Sequence, residues 1–214
     1  LWARPQVQGK VVTFPKYVCV YHELLQEHFK RTMEFSPAEM AAIVPYYKEK
    51  KVAKGAYLLQ QGQICQLEGF VVEGCFKIST IDDKGLEKVL YFAARDWWVM
   101  DIDSFANRTA SNLDIQALED STILYISEQD KEKLYQEVPK VERLFRIIYQ
   151  KAIVAWQRRL MRNQTMNAEE RYHYFITTYP EINELVTNKL IASYLGITQE
   201  FLSMIRKRRS TKRN

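Results

Sequence analysis

The sequence predicts an α+β protein made of an N-terminal β jelly roll, one long helix and an all-α C-terminal unit. Three observations carry this. Five of the seven glycines (Gly55, Gly62, Gly69, Gly74 and Gly85) fall between residues 51 and 127, where they separate short apolar segments. From Val141 onward, apolar residues recur every three or four positions. Residues 185–209, LVTNKLIASYLGITQEFLSMIRKRR, read as helix, glycine turn, helix, and end in basic residues.

Residues 1–20 have no clean periodicity and stay unassigned, either an N-terminal extension or an extra packed strand. From Tyr21 to about Phe35 a helix places Leu24, Leu25, His28 and Phe29 on one face. Ser36-Pro37-Ala38-Glu39 then reads as a helix start, with Ser36 at the N-cap, Pro37 at the first position and Glu39 closing a capping box. The roll is written in the segments AYLL, FVV, CFKIST, KVLYFA and STILYIS. Phe76, Ile78 and Thr80 alternate with Lys77 and Ser79, the period of a half-buried strand. Asp82-Asp83-Lys84-Gly85 reads as a hairpin loop between two strands. Several short strands parted by such turns make a β-sandwich or jelly roll.

After Ser127 the pattern turns helical. Asp130–Val138 forms a short helix, and Pro139 opens the next in its first turn. Val141, Leu144, Phe145, Ile148, Ala152 and Ala155 line one stripe of a helix over 139–162, about 36 Å long at about 1.5 Å per residue. Such a stripe is either a dimer seam or a face packed on the chain's own roll. Ala168–Thr178 forms a further helix, capped by Asn167 with Glu170 three residues on. The expected units are therefore 1–20, the roll with flanking helices at 21–138, the long helix at 139–162 and the C-terminal unit at 163–214.

Composition excludes several classes. No apolar run approaches the roughly 20 residues that span a bilayer, and the first residues lack the basic-then-apolar layout of a secretory signal. Cys19, Cys65 and Cys75 are odd in number and far apart, which suggests reduced thiols; the chain reads as cytoplasmic. The only histidines are His22, His28 and His173, none within 51–127, so a metal-dependent enzyme of the cupin type is not expected in the roll. No glycine-rich phosphate loop, nucleophile elbow or HExxH pattern occurs, and neither an enzyme, a cofactor nor a metal site is expected.

Charge is placed asymmetrically. Residues 201–214 carry six basic and no acidic residues, so against a net charge of +5 the other 200 residues sum to −1. A basic end of this kind presents itself to a polyanion, or is a solvated tail. The helices before it favour the first. Leu190, Ile191, Ala192 and Leu195 give one apolar face, Gly196 ends that helix, and Ile197 fills the angle. Thr198 caps the next helix, whose Leu202 and Ile205 point inward. That is the layout of a DNA-binding helix-turn-helix, although a helical hairpin in a bundle shares much of it. Thr198, Gln199, Glu200, Ser203 and Arg206 then fall on or near the outer face as base readers. Lys207, Arg208 and Arg209 fall nearer the phosphates of double-stranded DNA.

The chain resembles the Crp/Fnr family of bacterial regulators, and looks closest to the branch common in Bacteroidetes. The resemblance runs from about Tyr21 to Arg209. It rests on LLQQGQICQLEGFVVEGCFKIS, DDKGLEKVLYFAARDWW, IQALEDSTILYIS, NAEERYHYF and NKLIASYLGITQEFLSMIRKR in that order. It implies a cyclic-nucleotide-binding-like roll, a long dimerisation helix, a DNA-binding domain and hence a homodimeric transcription regulator. Members that bind cyclic nucleotides carry a Gly-Glu pair and, about ten residues on, an Arg for the phosphate. Here Met100 and Asp101 stand for the pair and Ser111 near the Arg, with Arg108 out of step. The usual phosphate cassette is therefore not expected to work. Three scattered cysteines do not supply the four that hold an iron–sulfur cluster. Only five residues follow Arg209, too few for a C-terminal β-hairpin wing. A small-molecule effector, if one exists, is expected beside Trp97, Trp98, Asp101, Arg108 and Ser111, although adjacent tryptophans on a strand are commonly one core and one edge residue. A sensor or adaptor without DNA binding is the rival reading, because Met204 stands where the family often has Arg.

Overall fold

The computed structural model describes residues 20–211, with side chains from Tyr21 to Arg208. The extension before Val20, the Arg209 side chain and Lys212 and Arg213 lie outside the described residues. Helix α1 (Val20–Lys30) buries Leu25, His28 and Phe29. Helix α2 (Pro37–Ile43) begins as its sequence predicts: Glu39 N–H donates to Ser36 Oγ at 3.2 Å and Ser36 N–H to Glu39 Oε2 at 2.6 Å. A 3-10 turn (Val44–Tyr46) leads into the roll.

Among the described residues, eight strands form two antiparallel four-stranded sheets. They are β1 (Lys48–Val52), β2 (Tyr57–Leu59), β3 (Leu67–Glu73), β4 (Cys75–Ile81), β5 (Glu87–Ala94), β6 (Trp98–Val99), β7 (Asp114–Ala117) and β8 (Ser121–Ser127). One sheet runs β1-β8-β3-β6, the other β2-β7-β4-β5. Phe76, Ile78, Val71, Ile115 and Ile123 meet between them. Gly74 makes the single-residue link from β3 to β4 at φ +88°, where a Cβ would sit 2.7 Å from the Ser121 Cα. The predicted hairpin loop is present: Asp82 Oδ1 accepts from the N–H groups of Lys84 and Leu86, and Gly85 has φ +75°. Strand β4 departs from its predicted half-buried period, because its outer side is buried as well, Cys75 in a cluster with residues of the C-terminal helices. Lys77 is buried there, its Nζ 2.5 Å from Glu87 Oε1, and Ser79 Oγ donates to the same oxygen at 3.0 Å.

Helix α3 (Ile102–Asn107) lies between β6 and β7, and α4 (Glu128–Glu137) follows β8, capped by Ser127. Helix α5 (Lys140–Thr165) has 26 residues, with Pro139 at the N-cap rather than inside the first turn. Only its first half is buried: Val141, Leu144, Phe145 and Ile148 pack on α1, β3 and β8 of the roll. The stripe predicted to continue through Ala152 and Ala155 is exposed there, and the large apolar residues sit on other positions. Ile153, Trp156, Leu160 and Met161 are 65, 47, 62 and 57% exposed.

A polar knot joins α5 to the roll. Glu68 of β3 and Lys131 of α4 form a fully buried ion pair. Lys131 Nζ also donates to the Tyr149 oxygen at 2.5 Å, and Tyr149 O–H donates to Glu68 Oε1 at 3.0 Å. The ammonium lies 3.9 Å from the Phe145 ring centroid, so a cation–π contact covers its apolar side. Burial, and then the Glu68 charge, push the Tyr149 hydroxyl well above its ordinary range, so it stays a proton donor. Removing one member strands a charge, which costs about 3–5 kcal/mol, whereas replacing both with apolar groups is close to neutral. Lys131→Met should accordingly lower unfolding stability by about 3–5 kcal/mol, and Glu68→Leu/Lys131→Met should recover most of it, both measured by urea unfolding.

Candidate nucleic-acid interface and sensor cleft

Helices α6 (Ala168–Thr178), α7 (Pro180–Leu185), α8 (Asn188–Leu195) and α9 (Gln199–Thr211) build the C-terminal unit. The predicted capping box opens α6: Glu170 N–H donates to Asn167 Oδ1 at 3.0 Å, and Asn167 N–H to Glu170 Oε2 at 2.8 Å. Helix α8 ends at Gly196, φ +68°, with Ile197 N–H reaching the Ala192 carbonyl and Gly196 N–H the Ser193 carbonyl. That pair of bonds satisfies the last carbonyls and turns the chain sharply. Thr198 Oγ1 then accepts from Phe201 N–H at 3.2 Å, which caps α9. Ile191, Ala192, Leu195, Leu202 and Ile205 are buried together.

The exposed side of α9 carries Thr198, Gln199, Glu200, Ser203, Lys207 and Arg208. Hydrogen bonds from the Glu200 backbone N–H and from Thr198 hold the Glu200 carboxyl below its ordinary value. It is therefore an ionised acceptor at neutral pH. Arg206 departs from its predicted place on this face. It is half-buried, its Nε donating to the Tyr172 hydroxyl at 2.7 Å and Nη2 to Asn183 Oδ1 at 3.2 Å, while Nη1 bonds Asn188 Oδ1. One position past the inward-facing Ile205, its side chain folds along the flank and ties α9 to α6, α7 and α8.

In the roll, the cassette stretch closes on itself. Asp101 caps α3, its Oδ1 accepting from the N–H groups of Asp103 and Ser104. Its Oδ2 accepts from Ser111 Oγ at 2.6 Å, and both residues are buried. The helix N–H groups that suit a phosphate thus already hold a carboxylate. Arg108 stands in a left-handed conformation, φ +57°, with Nη1 donating to the Cys65 carbonyl at 3.3 Å. Trp98 is partly buried and packs against the core, 5.3 Å from the Phe145 ring and stacked on Phe29, its Nε1 donating to His28 Nε2 at 3.1 Å. Trp97 packs edge-on to Tyr179, the residue between α6 and α7, at 5.6 Å. Neither tryptophan lines the cleft of about 500 Å³ that opens at the sandwich edge. That cleft is walled by Leu58, Leu59, Ile64, Leu67, Met100 and Ile115, with Lys50, Gln63 and Gln66 as its polar groups. Of the five predicted effector residues, Asp101, Arg108 and Ser111 come together behind it as supports of its wall. The wall residues gave no sequence signal, because they sit at strand ends and in turns.

The two described thiols are buried, Cys75 at β4 and Cys65 beside the cleft. Burial pushes Cys75 up to about 12 and raises Cys65 as well.

Residues 49–138 match the cyclic nucleotide-binding domain. No curated protein matches the chain. Among solved structures, it is similar to the c-di-GMP-responsive global regulator CLP of Xanthomonas campestris, at 13% identity and a TM-score of 0.66, covering 83% of this chain and 93% of that one. The catabolite activator protein of Thermus thermophilus is 16% identical over 83% of this chain and 85% of its own, with a TM-score of 0.53. FixK2 of Bradyrhizobium japonicum is 16% identical over 78 and 85%, with a TM-score of 0.61. Identities this low speak to fold alone: the chain shares with these three structures a fold in which a β-roll is followed by helices, and the roll matches the cyclic nucleotide-binding domain. Among the described residues no helix is long and apolar enough to cross a membrane.

Two outcomes test these assignments. Arg206→Ala should destabilise the protein by about 2–3 kcal/mol, because a charge-assisted network is lost, with the melting temperature as readout. In the native protein at pH 8, Cys65 and Cys75 should resist Ellman's reagent, while urea exposes both to labelling mapped by mass spectrometry.

Proposed function

We propose that the chain is a cytoplasmic, dimeric, sequence-specific DNA-binding transcription regulator of the Crp/Fnr type. In this reading α8 and α9 are its helix-turn-helix, residues 163–214 the DNA-binding domain and α9 the reader. The observation that carries this is the face of α9. Thr198, Gln199, Glu200 and Ser203 stand exposed on its first turns while Leu202 and Ile205 anchor it. The N-terminal turns of such a helix reach base edges in the major groove, where Gln pairs with adenine and Glu accepts from cytosine. Lys207 and Arg208, with Arg209, supply phosphate contacts that add affinity without sequence preference.

Dimerisation is assigned to the second half of α5 within 139–162. Ile153, Trp156 and Leu160 recur at intervals of three and four on a helix face that the chain leaves exposed. Two readers so paired suit half-sites about 34 Å apart. The effector, in this reading, enters the cleft walled by Met100 and Ile115, and it is not held through the usual phosphate cassette. The internal ties of Arg206 favour a second reading, a ligand sensor or adaptor that has lost DNA binding, because they remove one base-reading candidate.

A salt titration against random duplex, run with selection for bound sequences, separates the two. A steep salt slope with an enriched two-fold-symmetric motif is expected; no binding at low salt selects the sensor reading. Gln199→Ala or Glu200→Ala should relax preference at one base-pair position, by about 1–3 kcal/mol of discrimination. Leu160→Glu should turn a dimer into a monomer by sedimentation; an unchanged mass would reject the α5 seam.

A further inference from the structure

The elbow where α5 runs into the C-terminal unit gathers three arginines around one open notch. The notch, about 20 Å³, is lined by Arg159, Arg162, Asn163, Arg171, Tyr174 and Tyr194. That volume admits one water-sized group. The Arg159 guanidinium lies 4.2 Å from the Tyr194 ring centroid, and that of Arg162 lies 4.1 Å from Tyr174. Stacked on ring faces, guanidiniums keep their in-plane N–H edges for an acceptor.

The acceptors they have are few and neutral. Arg159 Nη2 donates to the Tyr194 carbonyl at 3.3 Å. Arg171 Nη1 reaches the Met166 carbonyl at 2.8 Å, and its Nη2 the Leu195 carbonyl at 3.3 Å. Arg171 Nε is buried and, among the described residues, has no hydrogen-bond partner. The ion pairs among the described residues join none of the three to a carboxylate. Burial lowers the Arg159 guanidinium from its ordinary value, and the charge of Arg162 adds to this. Like charges gathered in a half-buried site without a counter-charge are costly, and an anion removes that cost.

We propose that this notch binds a phosphate-class oxyanion, one oxygen entering between Arg159, Arg162 and Arg171 while the others stay at the open mouth. Planar guanidiniums match such an oxyanion with paired N–H···O bonds, which a spherical halide does not reward. A free phosphate and a nucleic-acid backbone phosphate share this chemistry. Occupancy would fix the angle between α5 and the C-terminal unit, because the ligating residues come from both.

Calorimetric titration of the full chain with inorganic phosphate, at ionic strength held constant with chloride, tests the site. Saturable binding is expected, weakened at least about tenfold in Arg162→Gln, with Arg162→Lys in between because it keeps charge but loses the fork. Arg162 is chosen because it is half-exposed, and melting curves verify that the variants fold. If Arg162→Gln does not fold, Arg162→Lys alone carries the test. No saturable heat, an equal response to chloride, or variants binding as the unaltered chain does would overturn the proposal. Duplex binding with and without phosphate assigns the source. Competition present in the unaltered chain and lost in Arg162→Gln supports a backbone phosphate in the notch, and its absence beside intact phosphate heat supports a free one. Phosphate heat without any duplex binding supports the site and counts only against the DNA-binding reading.

Discussion

The Glu68–Lys131 ion pair, closed by the Tyr149 hydroxyl, is the constraint on which the arrangement of the molecule rests. It places one member each on β3, α4 and α5, all in the core beneath the first half of the long helix. An apolar contact tolerates sliding by a fraction of a helical turn, but a buried charge pair does not, because each lost bond leaves a desolvated group. The knot therefore sets the register of α5 on the roll. Phe145 packs against Trp98 and over the Lys131 ammonium, so aromatic and polar contacts specify the same position.

Fixing the first half of α5 leaves its second half to a different environment. Beyond Ile148 the helix leaves the roll's core, and its large apolar residues meet little of their own chain. Tyr91 of β5 is an exception, its ring 5.3 Å edge-on from Trp156. The same helix then carries Arg159 and Arg162 against α6 and α8. A single rigid element thus touches the roll, a free apolar face and the C-terminal unit in succession.

Much of this was legible in the sequence, for reasons that differ from element to element. The capping boxes at Ser36 and Asn167, the Asp82–Gly85 turn and the Gly196 stop are local devices, and local chemistry decides them. Strand β1 was not legible, because KEKKV is exposed at four of five positions and has no apolar period; pairing with β8 makes it a strand. Strand β6 and helices α3 and α7 are too short for periodicity to show. The site was read less well than the fold. The exposed turns of α9 follow from helical spacing, but Arg206 is claimed by Tyr172, Asn183 and Asn188, partners 34, 23 and 18 residues away. Trp98 turned toward the core for the same kind of reason, since residues of α1 and α5 pack against it.

The seat of α8 on the roll has a consequence for solubility. Strand β5 lies at the edge of its sheet, and a bulge at Leu90 breaks its pairing with β4. Ser193 binds this strand: its Oγ accepts from Val89 N–H at 2.9 Å and donates to the Glu87 carbonyl at 3.0 Å. A bare strand edge is a template for pairing with a neighbouring molecule, and one serine hydroxyl occupies the groups that would start it. Phe92 and Val89 are buried beneath the same helices. The C-terminal unit is thus also the cover of a sticky edge, and a roll cut free of it is expected to self-associate.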